Sequence, residues 1–172
     1  MTACGRHTGD MPKAANYIIV PEVAEAVAAA CDELFTTERI VDASAVIDGL
    51  VTGQGRFELI RAAMAANTRL LGRYLAGRGE PMVEIRELAA RLMDRVWSSP
   101  EDEVLAEAQL LAHYYDGNLN RLDAETRHLL ETADFSTDLV VMVLISTGLS
   151  AIVSREENLA RYGDALREVL LR

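Results

Sequence analysis

Residues 139–154, LVVMVLISTGLSAIVS, form a run of sixteen uncharged positions in a chain in which 26% of residues are charged. Asp138 precedes this run and Arg155 follows it. A helix without a charged side has no face suited to water, so neighbouring helices or a partner must cover it. The sequence therefore predicts a central apolar helix over about residues 137–153.

Three serines in this run, Ser146, Ser150 and Ser154, are spaced four apart and share one face of a helix. Their small side chains allow another helix to approach closely, and each hydroxyl can donate to the carbonyl four residues earlier. The run is also shorter than the roughly 20 apolar residues that a membrane-spanning helix needs. We therefore expect a core helix, in a protein that does not cross a membrane.

Helical periodicity dominates the rest of the chain, and no alternating strand pattern is present. Breaks at 53–55 and 77–79 contain glycine and are too short to be domain linkers. We predict a flexible arm at 1–16 and a single all-α domain at 17–172, a bundle of seven to eight helices. Six of the predicted helices lie at 18–35, 38–51, 56–76, 121–132, 137–153 and 156–171. Two more are predicted to begin at Pro81 and Pro100.

The clearest helix start is at Ser99, which can cap the helix, followed by Pro100 and three acidic residues at 101–103. Proline suits the first helical position, and the acidic residues complement the positive end of the helix dipole. For the apolar helix, Ser136 is the expected N-cap.

A polar and aromatic cluster, His113-Tyr114-Tyr115, ends the helix that starts at Pro100. A histidine and tyrosines could act as a base and as hydrogen-bonding partners of a substrate. The helical phase favours a structural role for this cluster. In this interpretation Tyr115 belongs to the core, and His113 lies on the surface, about 160° around the helix axis from the apolar face. The residues expected on the buried face are Val104, Ala108, Leu111 and Tyr115.

The chain contains no complete catalytic or metal-binding motif. Glu125 and His128 have the spacing of half a carboxylate-bridged di-iron site, but neither His7 nor His113 has an acidic residue three positions before it. A solvent-facing pair is therefore expected. Cys31 lies in phase with apolar neighbours, which indicates a buried thiol rather than a nucleophile. We predict no cofactor and no metal, and keep an enzyme that uses Glu125, His128 or His113 as a third alternative.

The formal net charge of −10 argues against partners that are polyanions, namely nucleic acids and anionic membrane surfaces. The two cysteines and the absence of an apolar secretory segment favour the cytoplasm. Residues 54–79 are an exception to the acidity, with five arginines and one glutamate. Three of them, Arg61, Arg69 and Arg73, share one helix side. We predict that they contact an anion or a partner, a solvated basic face being the alternative.

These observations favour a non-enzymatic cytoplasmic interaction or regulatory protein, expected to be a homodimer because the chain has a surplus of apolar helix faces. The alternative is a bundle that binds an apolar or anionic small ligand between its helices. The residues predicted to line that pocket are Met64, Trp97, Tyr114, Tyr115 and Met142.

Overall fold

The computed structural model describes residues 20–37, 56–94 and 99–172, and these ranges consist of helices joined by short turns, with no strand. The all-α bundle predicted from the sequence is confirmed. The predicted arm at 1–16, the predicted helix at 38–51 and Trp97 lie outside the described residues. Besides a short 3-10 helix at Leu119–Arg121, the described ranges contain seven α-helices: α1 (Pro21–Thr37), α2 (Arg56–Leu75), α3 (Pro81–Asp94), α4 (Pro100–Tyr114), α5 (Ala124–Thr132), α6 (Phe135–Glu156) and α7 (Tyr162–Leu170).

The apolar run forms α6, which is the central element of the bundle. This helix contacts α1, α2, α3, α4 and α7, and twelve of its residues are buried. By length and composition α6 is long and apolar enough to cross a membrane, but 61% of its most apolar stretch is buried inside the structure. The helix is longer than the predicted 137–153 because Asp134 starts it earlier and its last turn runs on to Glu156.

Two helix starts show how side chains satisfy the free N–H groups at an N-terminus. At α4 the predicted cap is confirmed, since the Ser99 hydroxyl accepts from the Asp102 N–H at 3.2 Å and the Asp102 carboxylate accepts from the Ser99 N–H at 3.1 Å. At α6 the prediction of Ser136 as N-cap is wrong. The Asp134 carboxylate accepts from the N–H groups of Ser136 and Thr137, both at 3.2 Å, which places Ser136 inside the first turn.

The serine stripe of α6 faces two neighbours. Ser146 donates to the Asn67 side-chain oxygen on α2 at 2.6 Å and to the carbonyl of Met142, four residues earlier, at 3.1 Å. Ser150 and Ser154 donate to the Tyr162 carbonyl at the start of α7. The local bond expected from the sequence is thus formed by Ser146, whereas Ser150 and Ser154 instead bind α6 to the start of α7.

The last predicted helix, 156–171, is shorter than expected. The chain turns after α6, with Asn158 at a φ of +58°, and α7 begins at Tyr162. Near its start, Gly163 is buried against α1 and its N–H donates to the Asp32 carboxylate at 2.5 Å. Because Gly163 has no side chain, the backbones of α1 and α7 approach closely.

The buried face predicted for α4 is wrong at Val104, which is 56% exposed. Ala108 is buried, and Leu111 and Tyr115 are half-buried. The face that the helix turns to the core includes Leu105, Gln109 and His113, spaced four apart. The prediction followed apolar residues alone, whereas this helix buries two polar side chains that form hydrogen bonds. On α5, by contrast, Glu125 and His128 are both exposed, as predicted for a solvent-facing pair.

Candidate functional site

A pocket of about 330 Å³ lies beside the apolar helix, between α3 and α6. Apolar groups form its floor and charged groups form its rim. Its lining consists of Arg91 and Leu92 from α3 and Gly148, Ile152, Arg155 and Glu156 from α6. The pocket combines an apolar surface with a small number of charged groups, which is the usual composition of a small-ligand site.

The floor of the α3–α6 pocket depends on Gly148, the one glycine of the uncharged run. A Cβ atom at this position would overlap the Cδ2 atom of Leu92. The glycine therefore lets the Leu92 side chain reach the backbone of α6, and the two helices meet closely at this point. Ile152, one turn further along α6, is half-buried beside it and completes the apolar surface.

The rim carries two guanidinium groups that are largely free to bind a ligand. The Arg155 guanidinium has no hydrogen-bond or ion-pair partner among the residues that the structure describes. Arg91 donates to the Tyr74 hydroxyl at 3.2 Å, which uses one of its five N–H donors. Both arginines are exposed, so their charges face solvent at the mouth of the pocket.

Glu156, the acidic residue of the rim, has its own counter-charge. Its carboxylate accepts from the Arg78 guanidinium at 2.6 Å. Arg78 in turn lies over the Tyr74 ring, 4.0 Å from its centroid, and donates to the Tyr74 carbonyl at 2.6 Å. Arg91 and Arg155 are therefore the charges that a ligand would meet first.

A second polar cluster is buried where α2, α4 and α6 meet, and it overturns the predicted position of His113. This histidine is 2% exposed instead of lying on the surface. Its Nε2 atom is 3.2 Å from the Asn67 side-chain nitrogen, which also donates to the Met142 carbonyl at 3.1 Å. Since a carbonyl only accepts, the atom facing it must be the amide nitrogen, and this fixes the orientation of the Asn67 amide.

The protonation state of His113 follows from these contacts. Nε2 accepts from Asn67, so in the neutral ring the proton is on Nδ1, which has no partner among the described residues. Burial lowers the pKa of His113 to about 4. The neutral ring is excluded from solvent, and the lone pair of its Nε2 atom already accepts the hydrogen bond from Asn67. His113 is therefore suited to holding three helices together and unsuited to proton transfer.

Gln109, one turn before His113, belongs to the same buried face. Its side-chain nitrogen donates to the Asp138 carbonyl at 2.9 Å and to the Asp138 carboxylate. Partial burial of Asp138 raises the pKa of its carboxyl, and the bond from Gln109 opposes that shift. This contact ties α4 to the first turn of α6.

The predicted inertness of Cys31 agrees with its surroundings. The thiol is fully buried on α1, where burial raises its pKa to about 12 and the Thr147 hydroxyl donates to its sulfur at 3.4 Å. Among the described residues no group of three or more His, Cys, Asp and Glu is placed to hold a metal ion.

Of the five residues predicted to line a ligand pocket, the four that the structure describes are dispersed, and none of these four lines the α3–α6 pocket. Met142 is buried on α6, and half-buried Met64 lies beside Gly117, after the end of α4. Tyr114 is 41% exposed, and half-buried Tyr115 lies beneath the Arg121 guanidinium, 4.7 Å from its ring centroid. Trp97 lies outside the described residues.

Two of the predicted basic residues, Arg69 and Arg73, line an open groove of about 600 Å³ between α2 and α7. Arg69 donates to the Val169 carbonyl, and Arg73 contacts Glu157 at 2.5 Å and Glu168 at 3.6 Å. Contacts within the chain thus engage both side chains. Arg61 is exposed on α2, two turns before Arg69.

Sequence reasoning missed both the α3–α6 pocket and the buried cluster. The pocket left a signal in the sequence, because Gly148 is the one glycine of the uncharged run and Arg155 is the charged residue that ends it. The buried cluster left a signal too, since Asn67 is polar but shares the helical phase of Ala63, Leu70 and Tyr74.

No protein-family model, characterised protein or solved structure matches this chain. The assignment of a function therefore rests on the chain's own geometry.

Proposed function

We propose that this protein is a non-enzymatic helical bundle that binds a small molecule in the α3–α6 pocket. The observation that carries the proposal is the presence of Arg155, a guanidinium without a partner among the described residues, at the rim of an apolar pocket. Several other described arginines are engaged in ion pairs or bonds to carbonyls, among them Arg69, Arg73 and Arg78.

The size of the pocket supports a small ligand. About 330 Å³ is at the lower end of the range of roughly 300–1,000 Å³ that ligand sites occupy. Binding would cover Ile152, a half-buried side chain of the central helix. The described lining contains no serine, threonine, cysteine, lysine or histidine that could act as a nucleophile or base, and its one carboxylate, Glu156, is paired with Arg78, which favours binding over catalysis.

The test is a titration of the full chain with two probes, 1-octanol and octanoate, followed by the NMR shifts of the Leu92 and Ile152 methyl groups. We expect saturable shifts with at least one probe. Ile152→Trp should abolish them by filling the pocket, whereas Leu144→Trp should not. Leu144 is a matched control because it is also half-buried on α6 but lies outside the pocket. Shifts that do not saturate, or that survive Ile152→Trp, would refute the proposal.

A second candidate function is self-association, which the sequence favours and which an apolar surface on α4 and α5 supports. Helix α5 has no fully buried side chain, its Leu129 and Leu130 are half-buried, and Val104 on α4 is 56% exposed. A homodimer would cover these groups. The acidic composition, with two cysteines, agrees with a cytoplasmic protein for either function.

Light scattering at micromolar concentrations tests the dimer. The wild type should have twice the mass of one chain, and Val104→Glu should reduce it to that of a monomer. Val83→Glu is the control, because Val83 is similarly exposed, at 50%, but belongs to α3. A monomeric wild type would exclude the dimer and leave the proposed ligand site untouched.

A further inference from the structure

The charges of the α3–α6 pocket define the class of ligand. We propose that this ligand is a monocarboxylate with a short apolar chain, an inference that rests on the function proposed above. Its carboxylate would lie at the rim between Arg91 and Arg155, and its apolar chain would cover Leu92 and Ile152 on the floor.

The head group is expected to be an anion because neither rim arginine forms an ion pair with a described residue. Arg155 has no partner among the described residues, and Arg91 uses one donor, on the Tyr74 hydroxyl. A guanidinium presents paired N–H donors whose geometry matches the two oxygens of a carboxylate. An ammonium group at the same place would be repelled by both arginines.

A single negative charge suits this rim better than two. Glu156 lines the same pocket, and its carboxylate, although it is paired with Arg78, still adds negative charge to the rim. The C-terminal end of α6 adds the partial negative charge of its free carbonyls. Both features repel the second charge of a phosphate monoester, whereas a carboxylate needs only one compensating guanidinium.

Four octyl probes that share one apolar chain separate these possibilities: octanoate, 1-octanol, octylamine and octyl phosphate. We expect octanoate to bind about tenfold more tightly than 1-octanol, since a hydrogen bond to a charged group contributes about 1.5 kcal/mol or more. Octylamine should bind most weakly, and octyl phosphate should bind more weakly than octanoate. The signals to follow are again the methyl groups of Leu92 and Ile152 in the full chain.

Arg155→Gln keeps the length and polarity of the side chain but removes its charge, and it should reduce the preference for octanoate over 1-octanol about tenfold. Arg86→Gln is the matched control. Arg86 is an exposed arginine on α3 whose guanidinium is 3.4 Å from the Glu107 carboxylate, and it does not line the pocket. The control should bind all four probes as the wild type does.

The possible failures are distinguishable. If 1-octanol binds as tightly as octanoate, the carboxylate assignment is wrong while the proposed binding function stands. If octyl phosphate binds more tightly than octanoate, a dianion is the preferred ligand and the argument from Glu156 is wrong. An equal loss in Arg86→Gln and Arg155→Gln would show a general charge effect and overturn the site. If no probe gives saturable shifts, the proposed function itself is refuted.

Discussion

The close approach of α1 and α7 at Gly163 predicts opposite effects for the same substitution at two glycines. Gly72 lies in α2 with nothing within 4 Å of where a Cβ would be, so Gly72→Ala should stabilise the protein by about 0.5–1 kcal/mol through helix propensity. At Gly163 the added Cβ would lie 2.6 Å from the Ala28 carbonyl oxygen and 2.7 Å from the Asp32 carboxylate. The first of these atoms is backbone, so the helices themselves must separate.

The magnitude at Gly163 follows from two destabilising effects and one that opposes them. Overpacking a buried contact costs roughly 1–3 kcal/mol. Moving α7 away from α1 also weakens the bond from the Gly163 N–H to Asp32, a bond to a charged group, which contributes about 1.5–3 kcal/mol. The propensity gain of about 0.5–1 kcal/mol offsets only part of this loss. We expect Gly163→Ala to reduce the free energy of unfolding by about 2 kcal/mol.

Urea denaturation followed by circular dichroism at 222 nm measures both variants against the wild type. With a slope of about 2 kcal/mol per molar urea, Gly163→Ala should lower the midpoint by about 1 M, and Gly72→Ala should raise it slightly. If Gly163→Ala were as stable as the wild type, the backbones of α1 and α7 could not be in contact at Gly163. Equal destabilisation of both variants would refute the helix-propensity argument at Gly72.

Three further predictions concern titration, capping and thiol reactivity. The pKa of His113 is about 4 in the folded chain and roughly 6.5 in the unfolded chain, so the unfolded state is protonated first as the pH falls. The free energy of unfolding should therefore be about 2 kcal/mol lower at pH 5 than above pH 6.5. Urea midpoints at the two pH values measure this loss, and His113→Gln should reduce it. Asp134→Ala should lower the free energy of unfolding by about 1 kcal/mol through loss of the α6 cap, while Ser136→Ala should change it by less than about 0.5 kcal/mol in the same denaturation assay. In a Cys4→Ser variant, Cys31 should react with an aromatic disulfide reagent only on unfolding; rapid reaction of the folded protein would contradict its burial.

The sequence was sufficient where one local pattern decides the structure. The uncharged run at 139–154 predicted a central helix because a helix without charged residues has no side that suits contact with water. The start of α4 at Ser99 was predictable because the capping residues lie within four positions of one another. The face of α4 could not be predicted in this way. His113 becomes a buried residue because Asn67, 46 positions earlier, supplies its hydrogen bond, and apolar periodicity carries no information about that partner.

The α3–α6 pocket was equally beyond local reasoning. Arg91 and Arg155 are ordinary surface arginines in the sequence, and they share a rim because α3 meets α6 at Leu92 and Gly148. A crossing point of two helices depends on the packing of the whole bundle. The glycine in an otherwise bulky helix was a visible sign of close approach, but the sequence does not say which helix approaches.

The Asn67–His113–Ser146 cluster has a consequence for how this sequence can change over time. Replacing one of the three leaves a buried donor or acceptor unpaired, at a cost of about 1–3 kcal/mol, whereas replacing all three with apolar residues of similar shape can be nearly neutral. Single substitutions are therefore poor intermediates, and the three residues should be inherited or lost as a set. An asparagine followed by a histidine 46 positions later and a serine 79 positions later is thus a fingerprint by which distant relatives of this chain could be found.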